Sequence, residues 1–178
     1  MSIRELREKF EKEREEKQEQ GTLLTFEGVE GYDVYNTSVP FLYEGKEYIF
    51  GSVERRNEWV TSAVCLFSKK AEDVWDRVRD TMMYQLEDPF VVKLNGELVL
   101  GGTRVDFSRG KLSGFCGVFY KGANLFNLHY FTTGPQQMKD IRYVQLPDGK
   151  VGVFSRPRGE EIRKKYGSEA VIGFTVLN

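Results

Sequence analysis

The sequence predicts an all-β protein of the propeller type, about two and a half to three four-stranded blades behind an N-terminal α-helix. Three observations predict it. Thirteen Phe, nine Tyr and eighteen Gly in 178 residues favour strands joined by many turns. The hydrophobic period changes from helical to strand-like after Gly21. And a strand–turn–strand pattern returns three times, its turn glycines Gly45, Gly96 and Gly149 lying 51 and 53 residues apart. Four antiparallel strands at a period near ~50 residues is the spacing of a propeller blade. A β-sandwich also has many short strands, but not this spacing of turns.

The elements follow in order. Residues Ser2 to Gln20 contain no Gly or Pro and are rich in Glu, Lys, Arg and Gln, so they read as a charged helix. Ile3, Leu6 and Phe10 form a short apolar stripe expected to dock on the rest of the protein. The domain proper then runs from 21 to 178, with blades over about 32–80, 84–133 and 138–178. The first blade pairs Ser38–Tyr43 with Tyr48–Val53 across Glu44-Gly45, and continues through Thr61–Phe67 and Val74–Val78. The second pairs Pro89–Leu94 with Leu98–Val105 across Asn95-Gly96, followed by Gly114–Tyr120 and Leu125–Phe131. Asn-Gly is favoured in tight hairpins because both central residues need positive φ. The third pairs Arg142–Leu146 with Lys150–Ser155 across Asp148-Gly149, then Ala170–Leu177, and has no fourth strand. A ring needs roughly 4–8 blades, so either further C-terminal blades or association into a homo-oligomer is expected to complete it. Thr22–Glu27 is a candidate outer strand for a missing blade, and exposed apolar sheet is expected at the open ends.

Composition narrows the function. A formal charge of −1 gives no electrostatic reason to expect nucleic acid or an anionic membrane. No apolar run approaches the ~20 residues that span a bilayer, and the charged N-terminus is no secretory signal, so the expected location is the cytoplasm. Cys65 and Cys116 read as small buried thiols. His129 stands alone, without a nearby Cys or acid cluster, which argues against a metal site or a Ser-His triad. Gly101-Gly102 lies in a strand, where it makes no phosphate loop.

The charged residues gather at strand ends. Superposed on the turn glycines, the copies place Asn36, Glu87 and Asp140 in one slot at the start of the inner hairpin strands. The second strands end in Glu54, Arg55 and Arg56, in Arg104, and in Arg156 and Arg158. In a propeller these ends converge at one mouth of the axial funnel, so Glu87 and Asp88 are expected close to Arg104. Asp33 approaches the same mouth as a further carboxylate. Acids facing arginines suit a carbohydrate or phosphate site. Inverting hydrolysis of a glycoside needs one carboxylic acid to protonate the leaving oxygen and a second carboxylate to activate water. Phosphorolysis replaces that base with phosphate, which needs cations. Tyr32, Tyr35, Trp59 and Phe107 are aromatics able to stack on sugar faces, although most aromatics here belong to the core.

Glu87-Asp88-Pro89, Lys139-Asp140 and Phe154-Ser155-Arg156-Pro157 resemble motifs of glycoside hydrolase family 130, five-bladed propellers that phosphorolyse or hydrolyse β-mannosides. Asp33-Val34-Tyr35-Asn36-Thr37-Ser38-Val39-Pro40 and the leading helix are closer still to an uncharacterised bacterial family of glycosidase-like propellers in that superfamily. The resemblance runs from Gly31 to about Pro157, roughly the first half of a full-length member. It implies Asp88 as general acid and Asn36 as an innermost sugar contact, and Arg104 and Lys139 fall where the phosphorylases hold phosphate. The strand-end reading adds Asp33 or Glu87 as an assisting carboxylate, with Arg55, Arg56, Asp140 and Arg156 orienting substrate. Inorganic phosphate is then the one small co-substrate to consider; no other cofactor and no metal is expected. Phe90 replaces an arginine usual after Asp-Pro, and Ser155 a histidine, which favours hydrolysis over phosphorolysis. The rival readings are a non-catalytic carbohydrate-binding propeller and a scaffold, since fold does not fix function. Without further blades the expected pocket is incomplete.

Overall fold

The computed structural model describes residues 2–16, 21–55 and 62–178. Helix α1 (Ile3–Glu16) starts on a reciprocal cap. The Glu5 amide donates to Ser2 Oγ at 3.2 Å, and the Ser2 amide donates back to Glu5 Oε2 at 2.6 Å. Leu6 and Phe10 remain 51% and 62% exposed, so the stripe expected to dock stays in solvent. The expected extension to Gln20 falls outside the described residues.

The strands form three sheets. The first contains β1 (Thr25–Glu27), β2 (Asp33–Tyr35), β3 (Phe41–Tyr43), β4 (Lys46–Glu54), β5 (Ala63–Ala71) and β6 (Val74–Arg77). Its order is β1-β6-β5-β4-β2, with β3 also on β4. The inner strand is therefore interrupted: β2 and β3 pair with successive parts of β4, and the segment between them is free to depart from strand geometry. β1 lies parallel to β6 at the outer edge of this same sheet. That corrects its expected place in another blade. The second sheet is the four-stranded antiparallel meander β10-β9-β8-β7, built from β7 (Glu87–Leu94), β8 (Glu97–Ser108), β9 (Lys111–Gly122) and β10 (His129–Gln136). The third pairs β11 (Arg142–Gln145), β12 (Val151–Ser155) and β13 (Gly173–Leu177), with a short helix α2 (Glu160–Tyr166) between the last two. The sequence pattern assigns no element to that segment.

The turns take the expected form. Glu44-Gly45 and Asn95-Gly96 have positive φ at both residues, as does Arg109-Gly110 at the tip of the long β8–β9 hairpin.

Burial stacks the sheets face to face, as blades. Phe50, Val64 and Leu66 of the first sheet pack with Leu98, Leu100, Cys116 and Val118 of the second. Alternation along the same strands turns Val99 and Phe119 to the other face, where they meet Ile141 and Val153 at the third sheet. Ile49, Cys65, Phe67 and Trp75 fill the remaining face of the first sheet under Val29 and Phe26. Both cysteines are free and buried, as expected. The far face of the third sheet is open: Val144, Phe154, Phe174 and Val176 are 37–54% exposed, and Phe154 and Phe174 touch at 4.9 Å between ring centroids. Among the described residues no helix is long and apolar enough to cross a membrane.

Candidate active site at the ends of the inner strands

The site begins with three residues in an uncommon conformation. Asn36, Asp88 and Asp140 have φ of +45°, +53° and +59°. They lie 52 residues apart in turn, each at the inner edge of its own sheet. The shared slot is thus Asn36, Asp88 and Asp140, and the expected alignment of Glu87 with the other two is corrected by one residue. Asn and Asp enter the left-handed region more readily than other side-chain-bearing residues, because their short polar side chains bond locally. Asp88 lies within β7 at a break in its register with β8, Asn36 directly follows β2, and Asp140 stands two residues before β11.

Tertiary structure brings these residues together. Asn36 Nδ2 donates to Asp88 Oδ1 at 2.6 Å, joining the first and second sheets. The Asp88 amide donates to Ser52 Oγ at 3.2 Å, and its carbonyl accepts from Arg142 Nη2 at 3.3 Å. Arg142 lies with its guanidinium 4.7 Å from the centroid of the Phe90 ring. Burial lowers the pKa of that guanidinium, opposed by the charges of Asp140 and Asp88. Asp140 is paired with Arg156 at 2.7 Å. Among the described residues neither Lys139 nor Arg142 forms an ion pair with a carboxylate. Glu87 is partly buried, and that burial pushes its pKa up; Asp88, Glu54 and Asp140 add to the rise and Lys139 opposes it. Tyr35 is pushed above its ordinary range by burial and by its hydrogen bond with Glu54.

Other expected residues lie elsewhere. Arg104 does not meet the acids. Glu87 stands opposite Thr103 in the β7–β8 register, while Arg104 stands opposite Cys116 and pairs with Asp106 at 3.0 Å. Successive side chains in a strand point to opposite faces, so Arg104 faces away from Glu87. Asp33 lies exposed at the start of β2, opposite Glu54 in register. Arg55 follows β4, its guanidinium 5.0 Å from the Tyr32 ring centroid. Phe107 is 45% exposed near the tip of the β8–β9 hairpin. Arg56 and Trp59 lie outside the described residues.

Ser52 and Arg142 were not anticipated as site residues, whereas Glu54 was expected at this mouth. Ser52 pairs with Tyr35, which precedes Asn36, and Arg142 comes two residues after Asp140. The 52-residue spacing of the left-handed residues was the signal that could have found both. Among the described residues no group of three or more His, Cys, Asp or Glu is arranged to hold a metal ion.

Comparison with known proteins finds solved structures that share this fold. Three solved Leishmania structures are similar at 45–46% identity. MPT-1, a GDP-Man-dependent mannosyltransferase from Leishmania mexicana, matches 94% of this chain with 50% of its own, at a TM-score of 0.79. MPT-4, a mannose phosphorylase from the same organism solved with a phosphate ion, matches 98% of this chain with 52% of its own, at a TM-score of 0.86. A hypothetical protein from Leishmania major matches 96% of this chain with 52% of its own, at a TM-score of 0.80. The chain thus spans about half the length of these relatives. Zg3597, a family 117 glycoside hydrolase from Zobellia galactanivorans, shares the fold at 10% identity and a TM-score of 0.62, covering 88% of this chain and 56% of its own. No protein of curated function matches the sequence significantly. Two of the three Leishmania relatives are described as a mannosyltransferase and a mannose phosphorylase, and the family 117 hydrolase shares the fold alone. A family profile, described as a protein of unknown function (DUF1861), matches residues 9–178, and the chain belongs to that family.

Proposed function

We propose that the protein processes mannosides, with Asp88 as general acid and inorganic phosphate as acceptor. The observation that carries this reading is the bond from Asn36 to Asp88 at 2.6 Å, with Arg142 on the Asp88 carbonyl and Lys139 near enough to the adjacent Glu87 to oppose the rise in its pKa. Asn36 occupies Oδ1, leaving Oδ2 to carry the proton. That proton passes to the glycosidic oxygen as the bond to the anomeric carbon breaks. A phosphate oxygen forms the new bond to that carbon, giving a sugar 1-phosphate and the shortened saccharide. Cations near the acceptor lower the cost of bringing an anion to the reacting centre. Phe90, in place of an arginine, had favoured hydrolysis. Arg142 stacks its guanidinium over that same ring, so the position keeps a cation. Similarity to a mannose phosphorylase at 45% identity supports phosphorolysis over hydrolysis.

Glu87 supports a second reading. Its raised pKa and its place beside Asp88 suit an assisting carboxylate for attack by water.

The test is turnover of aryl and oligosaccharide mannosides with and without phosphate. Phosphate-dependent release of a sugar 1-phosphate, abolished by Asp88→Asn, is expected. Lys139→Ala and Arg142→Ala should each raise KM for phosphate. Release that ignores phosphate but still requires Asp88 would select hydrolysis. Sugar binding unaffected by Asp88→Asn, without turnover, would select the non-catalytic binder.

A further inference from the structure

We propose that Ser52 is a positioning residue for Asp88: its hydroxyl reaches from the first sheet into the second and holds the Asp88 peptide in its left-handed conformation. Ser52 is one of three buried polar residues among the described residues, with 0% exposure. A buried hydroxyl without a partner is unfavourable, so its bond to the Asp88 amide is a strong restraint despite its 3.2 Å length. Asp88 needs such a restraint. At φ +53° it occupies a region that Asp tolerates better than most residues, but Pro89 follows it, and a residue before proline is driven toward extended backbone. Strained residues persist where the surroundings over-determine them, and they concentrate at functional sites. Arg142 holds the carbonyl of the same residue from the third sheet. The catalytic carboxyl is therefore aimed by its neighbours rather than by its own strand.

The repeat supplies a comparison inside the molecule. Thr103, 51 residues after Ser52, is the corresponding buried hydroxyl of the second sheet at 1% exposure. Its Oγ1 has no hydrogen-bond partner. The two slots are alike in burial and chemistry, and only the one facing Asp88 is engaged.

The catalytic part of this proposal rests on Asp88 being the acid; the conformational part does not, and the experiment separates them. Ser52→Ala, Ser52→Thr and Thr103→Val are compared for Asp88 amide exchange by NMR and for steady-state turnover of an aryl mannoside with phosphate. In Ser52→Ala the Asp88 amide should exchange at least ~10-fold faster, while the Leu86 amide, bonded to the Tyr84 carbonyl, keeps its rate. Its kcat should fall ~10- to 100-fold with KM within about twofold, the loss expected when a reacting group is misplaced rather than removed. Ser52→Thr, which restores the hydroxyl, should recover both, and Thr103→Val should match the parent. Unchanged Asp88 exchange in Ser52→Ala overturns the proposal. So does unchanged kcat, or an equal loss in Thr103→Val, which would mark general damage to the inner strands. If the parent turns over no mannoside, the acid reading fails, and the exchange rates alone decide whether Ser52 holds Asp88.

Discussion

Replacing Gly101 with alanine should destabilise the protein and loosen the site, through the Phe90 ring. Gly101 lies in β8 directly opposite Phe90. An added Cβ would stand 2.1 Å from Phe90 Cε1, 2.6 Å from its Cζ and 2.8 Å from Phe119 Cδ1. Carbon atoms rest at about 3.5–4.0 Å, so the Phe90 ring must move by more than ~1 Å. It has little room. Arg142 lies 4.7 Å from its centroid, with Phe119 at 6.2 Å and Tyr143 at 6.1 Å. Overpacking of this kind costs about 1–3 kcal/mol, and the reduced freedom of the unfolded chain returns about 0.4–1 kcal/mol. A net loss of about 1–2 kcal/mol should lower Tm by about 2–8 °C in a chain of this size. Arg142 also holds the Asp88 carbonyl, so displacement of the ring should reach the site. The assay is thermal and denaturant unfolding of Gly101→Ala, Phe90→Leu and the double variant. The smaller Leu side chain should relieve the clash, giving a favourable coupling of about 1 kcal/mol or more. An unchanged Tm in Gly101→Ala, or additive losses in the double variant, would refute the reasoning.

Two further predictions follow from burial. Glu87 has a raised pKa in the folded state, so its contribution to stability is fully present below the unfolded carboxylate value and is lost as pH rises through the folded one. Glu87→Gln should therefore melt above the parent at pH 7, with the gap closing toward pH 4; a gap independent of pH would count against it. Cys65 and Cys116 are buried, and burial pushes both thiols up. Native protein should react with iodoacetamide far more slowly than protein in denaturant, and equal rates would contradict the packing.

Much of the fold was legible because it is local. Asn95-Gly96 demands a tight turn wherever it falls between two apolar runs, and the observed turn has positive φ at both residues. The return of that pattern in three copies announced three sheets. β1 was misplaced because a three-residue strand carries no mark of its partner, and parallel pairing with β6 depends on chain path. The site was half legible. Asp88 and Asn36 stood out by motif, and the structure brings them to 2.6 Å across two sheets. Arg104 failed for a geometric reason: strand ends that converge along the chain still alternate between faces, and one residue separates Thr103, opposite Glu87, from Arg104, opposite Cys116.

The sequence by itself determined the repeated sheets, the turn chemistry and the carboxylate at position 88, since these depend on residue type and on spacing along a single chain. Only the tertiary structure decided which residues act together. The Asp88 carboxyl meets Asn36, its amide meets Ser52 and its carbonyl meets Arg142, contacts spanning 52, 36 and 54 residues. Separations of that size are set by how blades stack on their apolar faces, and no local pattern records the angle or register at which two faces meet.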